Sequence, residues 1–311
     1  MKKNLINESH VEGYLYDHKL EKKVTGANSK NPGTEFISGT ISIATDDKME
    51  NVIQIHYTYV TATTAKGNAN ATFTALDKII TDNPTVLNVG ADKAIKVRCD
   101  TAIGLMEWFR ELTDEKPVSI VRNEGGFAHI VTSINEDEKQ RNTFKADIVI
   151  TNVKEIEADP EKNQEAAVKV RGCIFDFRKA LLPVEFIARS KGAMNYFLGL
   201  EASPKTPVFT CVWGRQLSQT VVTRTITESA FGEDEVRERQ TSTREYVITG
   251  ASKSTYEWDD EETITAKELS QAMSDRELYL ASMKKRQEEY QASKGSGSAA
   301  AVSNETTGYN F

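Results

Sequence analysis

The chain has 311 residues, of which 39% are apolar and 27% charged, with a formal net charge of −7. That is the balance of a globular chain with room for two domains. No apolar run approaches the roughly 20 residues of a membrane span. The start Met1-Lys2-Lys3-Asn4 leads into no apolar signal core, so a cytoplasmic protein without membrane contact is expected. Cys99, Cys173 and Cys211 are odd in number and far apart, and read as buried free thiols in a reducing compartment. His10, His18, His56 and His129 stand at no metal-ligand spacing, so neither a disulfide framework nor a zinc site is expected.

Taken in chain order, most segments read as short strands. Residues 11–20, 35–44 and 51–60 come first, and the third alternates Ile53, Ile55, Tyr57 and Tyr59 against Gln54, His56 and Thr58. Phe73, Leu76, Ile79 and Ile80 then fall at helical spacing over 72–80. Strand patterns return at 94–100, 117–122, 127–131 and 144–156. The polar stretch 158–165, with Pro160, reads as a domain boundary. Beyond it come strand patterns at 168–178, 184–189, 208–216, 221–226 and 245–249, with a short helix at 193–200. The two halves resemble each other. Val11-Glu-Gly-Tyr-Leu-Tyr-Asp matches Val170-Arg-Gly-Cys-Ile-Phe-Asp, Glu35-Phe-Ile matches Glu185-Phe-Ile, and 52–57 matches 208–213. A tandem duplication follows from three matches in one order. Thr265-Ala-Lys-Glu268 is a capping box that opens a helix to about Ala292. After it, Gly295-Ser-Gly-Ser begins a flexible tail that ends in Phe311.

No phosphate loop, dinucleotide fingerprint or nucleophile elbow is present, so no catalytic residue, metal or cofactor is assigned and an enzyme is not expected. Charge is uneven instead. Residues 163–225 carry nine Lys/Arg and four acids, whereas 251–311 carry seven and eleven. A basic middle with a competing acidic end suits a polyanion binder. Single-strand binders need cations along the backbone and aromatic faces for the bases. The second half interleaves both. Arg171, Arg178, Lys179, Arg189, Lys191 and Arg215 are phosphate candidates, and Phe175, Phe177, Tyr196 and Trp213 are stacking candidates. In the first half the long loop after the first strand brings Lys22, Lys23 and Lys30, with Tyr57 in a nearby strand.

Over about residues 10–250 this order of strands, long polar loop and helix resembles the OB-fold single-stranded DNA-binding proteins of phage and bacteria. The resemblance implies a mainly β chain of two tandem OB-like antiparallel barrels. They are expected at 8–157 and 167–250, joined by a linker at 158–166, with an amphipathic helix at 265–292 and a flexible tail at 293–311. It implies single-stranded DNA as partner, in replication, recombination or repair, with room for a homo-oligomer. It also implies a tail whose terminal Phe311 recruits replication or recombination proteins, although the acidic run that family places before its last residue is missing here. A β-rich virion or assembly protein with a C-terminal arm fits the same pattern and is told apart by oligo(dT) binding.

Overall fold

A computed structural model of the protein describes residues 5–159, 165–227, 235–258 and 263–295. The first half forms strands β1 (Asn7–Val24), β2 (Glu35–Ala44) and β3 (Val52–Thr61), helices α1 (Ala71–Asp82) and α2 (Val86–Val89), then β4 (Lys96–Trp108) and β5 (Val118–Val131). These strands close a ring in the order β1-β2-β3-β5-β4-β1, with β3 and β5 parallel and every other pair antiparallel. The second half forms β6 (Asn142–Ile156), β7 (Ala167–Phe175), β8 (Leu181–Ala188), α3 (Lys191–Gly199), β9 (Val208–Thr227) and β10 (Glu235–Ala251). It closes the same ring, β6-β7-β8-β10-β9-β6, with β8 and β10 parallel. Five strands in this order, with a helix between the third and fourth, make an OB barrel. The mainly β architecture of two tandem OB barrels and a C-terminal helix, expected from sequence, is what the strand pairing shows.

Alternation builds each barrel. Val11, Leu15, Ile37, Ile41, Ile43, Ile53 and Ile55 point inward and are buried together with Phe73, Leu76 and Ile79 of α1. That helix starts where the Asn70 side chain accepts the Thr72 N–H, and stops at Asn83 in the left-handed region. The second core centres on Phe144, Phe186 and Tyr246, whose rings pack 5.0–5.8 Å apart.

The duplication extends to register. The first strand of each barrel is long, pairs early with the fourth strand and late with the second, and carries a bulge, between Leu15 and Asp17 and between Ile150 and Asn152. Aligning the bulges makes the row Asp17–Ser42–Gln54 equivalent to Asn152–Arg171–Glu185. The starts of β1 and β6 pair antiparallel about Ser9 and Phe144, themselves equivalent positions, so a local two-fold relates the barrels and one sheet runs through both.

Two expectations are corrected here. The boundary is not at 158–166. β6 pairs with β7 and β9, so 158–166 joins the first two strands of the second barrel, and the chain changes barrel at 132–141. The matched motifs are one strand out of step, since they equate β1 with β7, whereas the ring makes β6 its counterpart.

The C-terminal helix α4 (Ala266–Gly295) opens as predicted. The Thr265 hydroxyl accepts the Glu268 N–H, and the Glu268 carboxylate accepts the Thr265 N–H. Its first turns, with Ile264, Tyr256 and Trp258, cover Val149, Cys173, Phe175 and Phe209 on the outside of the second barrel. Tail residues 296–311, including Phe311, lie outside the described residues, as do 160–164 of the expected linker.

Candidate nucleic-acid interface

In an OB barrel the outer face of the second and third strands, flanked by the 1–2 and 4–5 loops, is the surface offered to an oligonucleotide. In the first barrel that face is built by register. Because Ile41, Ile43, Ile53 and Ile55 point in, the rows Asp17–Ser42–Gln54 and Lys19–Thr40–His56 point out. Lys23 pairs with Phe36, which pairs with Thr61. A bulge sets Thr58 and Tyr59 of β3 against the single residue Ser38 between the Ile37–Val60 and Gly39–Tyr57 pairs. This reverses the alternation, so Tyr57 stays in the core while Tyr59 turns out, 47% exposed, with its ring centroid 4.7 Å from that of Phe36. Gly39 makes the bulge feasible. Its φ is +129°, and a Cβ there would sit 2.0 Å from the Lys19 carbonyl oxygen. The result is an aromatic pair of exposed Tyr59 and half-buried Phe36, with Lys23 beside it and the loop of exposed Lys30 at its edge.

At its other end this face meets the second barrel. Arg244 of β10 donates to the Gln54 side chain, and Arg122 of β5 pairs with Glu124. Between them lies His56, whose pKa is lowered to about 4 by burial and by the Arg122 and Arg244 charges. It is therefore a neutral imidazole at pH 7 in positively charged surroundings. Below the surface, Ser9, Asn123 and Gln216 form a buried hydrogen-bonded triad that joins the barrels. Its closed bonding fixes their relative orientation.

The equivalent face of the second barrel differs. Its outward rows are Lys154–Lys169–Ile187 and Asn152–Arg171–Glu185, then Cys173–Pro183 and Phe175–Leu181. The last two contribute Cys173, Phe175 and Leu181 to the cluster beneath the C-terminal segment. Lys169 and Arg171 both bind Glu185. Burial works to raise the pKa of that carboxyl, but the hydrogen bonds from Lys169 and Arg171 outweigh it and hold the pKa below the usual value. Arg189 is held by Glu165 and Glu245.

The sequence-derived candidates therefore separate. Tyr57 (2% exposed) and Phe175 (1%) are core rings and offer no face to a base, Tyr57 because it points into the barrel and Phe175 because the C-terminal segment covers it. Lys22 pairs with Asp77 of α1 and Lys23 with Glu21. Tyr196 is half-buried, its hydroxyl donating to the Ser252 carbonyl. Arg215 donates to Asn142 at the barrel junction. Trp213 is 41% exposed but lies on the fourth strand, against Gly250, away from the strand 2–3 face. Lys191 is exposed at the start of α3. Phe177, Arg178 and Lys179 do come together in the β7–β8 turn, where the Asp176 carboxylate accepts the Arg178 and Ala180 N–H groups. Phe177 is 87% exposed, and the Arg178 guanidinium lies 5.0 Å from its ring centroid. Sequence reasoning passed over Phe36 and Tyr59. The available signal was Gly39 inside a strand pattern, which marks a bulge. Among the described residues no cluster of His, Cys, Asp and Glu could hold a metal ion, and no helix is long and apolar enough to cross a membrane.

The strand order, the inter-strand helices and the open outer face define a double OB-barrel protein. The chain belongs to the YorF family, whose profile matches residues 6–286. No curated protein matches the sequence. Among solved structures, a deletion mutant of the single-stranded DNA-binding protein from Thermus aquaticus aligns at 9% identity over 83% of this chain and 98% of its own, with a TM-score of 0.45. A replication protein A heterotrimer bound to single-stranded DNA aligns at 10% identity over 78% of this chain and 50% of its own, with a TM-score of 0.18. The barrel assignment rests on the strand order itself.

Proposed function

We propose that this protein is a non-catalytic single-stranded DNA-binding protein that serves DNA replication, recombination or repair in the cytoplasm, in a phage or its host. The observation that carries this reading is the open outer face of β2 and β3. There the Phe36–Tyr59 pair stands beside Lys23, hydroxyl and imidazole side chains follow at Thr40, Ser42 and His56, and Arg122 and Arg244 close the far end. Such a face stacks bases without reading them and neutralises the backbone between them. The turn of Phe177, Arg178 and Lys179 is a second contact, reached by a longer strand. The tip at Phe311 is a contact for replication or recombination proteins. Titration with oligo(dT) across a salt series tests the reading, with duplex DNA and RNA as controls. Binding that weakens steeply with salt and favours the single strand is expected. A chain that ignores oligo(dT) and elutes as large particles is an assembly protein instead.

A further inference from the structure

Helix α4 does more than cover the second barrel. Past Leu269 and Ala272 it crosses to the first barrel, where Arg276 forms a bidentate pair with Glu107 of β4. The pair is well buried, with side-chain exposures of 15% for Arg276 and 4% for Glu107. Ser119 of β5 donates to the same carboxylate, and Arg276 also donates to the Leu181 carbonyl of β8. One guanidinium thus ties together α4, the first barrel and the second. About two to three turns further on, Met283 is buried, Lys284 donates to the Asp114 carbonyl and lies 5.6 Å from the Phe109 ring centroid, and Gln287 donates to the Phe109 carbonyl. Phe109 and Asp114 belong to the loop 109–117 that joins β4 to β5. Within it the Asp114 carboxylate accepts the Arg110 and Glu111 N–H groups.

We infer that α4 is a strap that fixes the 4–5 loop of the first barrel as one wall of the nucleic-acid interface, and that Arg276 is its positioning residue. The inference rests on the proposed function. Flexible 4–5 loops must be ordered when a strand binds, at an entropic cost. A loop already fastened at Phe109 and Asp114 has lost that freedom beforehand, so the fastening adds affinity without touching the ligand. The strap also gives the acidic C-terminal region a role opposite to that of a competing polyanion.

The test uses the full-length chain and oligo(dT). In Arg276→Met the helix keeps its length while Glu107 loses its guanidinium partner and keeps only the Ser119 hydroxyl. In Lys284→Ala/Gln287→Ala the buried pair stays and only the loop is released, which keeps the question answerable if the first variant folds poorly. Both should raise amide exchange in 109–117 and weaken binding about two- to thirtyfold, the range for residues that act without touching a ligand. The salt dependence should stay that of the wild type, because no phosphate contact is lost. A shallower salt slope would make these residues direct contacts and overturn the strap. Faster exchange at 109–117 with unchanged affinity would overturn it too, and so would loop exchange that does not change. If the wild type itself fails to bind oligo(dT), the functional proposal falls and takes this inference with it.

Discussion

The two barrels share one topology, one bulge position and one register, yet they present their strand 2–3 faces in opposite ways. In the first barrel the face is open and of mixed charge, with Asp17 in one outward row, hydroxyl groups, a neutral imidazole and a ring pair beside Lys23. In the second, the equivalent rows hold Arg171 against Glu185, and the end of the face lies under the C-terminal segment. Equal backbones thus carry unequal duties. The first barrel keeps a surface for a ligand, and the second uses its surface to anchor α4. Cationic density along the chain, highest in the second half, is a poor guide to the site because carboxylates neutralise much of it there.

Equivalent positions sharpen this contrast. Phe209 and Lys96 occupy the same place on the fourth strand of each barrel. Phe209 is buried against Tyr256 and Trp258. Phe209→Ala should therefore cost about 3–5 kcal/mol in chemical denaturation, whereas Lys96→Ala should fall within about 0.5 kcal/mol of the wild type. Equal effects would erase the distinction between a covered and an open barrel. Next in size, Tyr59→Ala should weaken oligo(dT) binding by about 1–3 kcal/mol and leave melting nearly unchanged. Phe175→Ala should do the reverse and lose stability first.

Smaller still is the loss of one phosphate contact. Lys30→Ala should flatten the log–log salt slope by about 0.7 on a single strand. A pH dependence is also expected from His56. Its folded pKa of about 4 lies below the unfolded value near 6.5. Above that value the ring is neutral in both states. As pH falls through the window, the unfolded chain takes a proton that the folded chain refuses, so stability declines. Urea midpoints at pH 7 and pH 5 should differ less in His56→Gln than in the wild type. A bound phosphate would favour the protonated ring, so DNA binding should tighten over the same interval.

Much of the fold was legible because local periodicity carried it. The first three strands, α1 and the Thr265–Glu268 cap stand close to where alternation, helical spacing and capping chemistry place them. Pairing was not legible, because partners are chosen across the chain. The polar stretch 158–165 has the composition of a linker, but composition marks a loop without saying which strands it joins. The matched Val-x-Gly motifs misled for a physical reason. Gly13 of β1 faces Ala44 of β2, and Gly172 of β7 faces Val149 of β6, where a Cβ would lie 1.9 and 2.1 Å from a carbonyl oxygen. Both glycines answer the same crowding between first and second strands, one from each side, so the motif repeats without the strands being equivalent. The buried rings show the limit of parity. Alternation groups Tyr57 with Tyr59, and one bulge separates them.

The central claim is that the open face of the first barrel, and not its counterpart on the second, holds the strand. Ser42 and Arg171 are equivalent outward positions in the two second strands. Ser42→Glu and Arg171→Gln each change the charge by one unit in the same direction, so long-range electrostatics alone would weaken both alike. Oligo(dT) affinities of these two variants, measured side by side at one salt concentration, decide the matter. The account predicts a clear loss for Ser42→Glu and binding close to the wild type for Arg171→Gln. A larger loss for Arg171→Gln would contradict it and move the site to the second barrel.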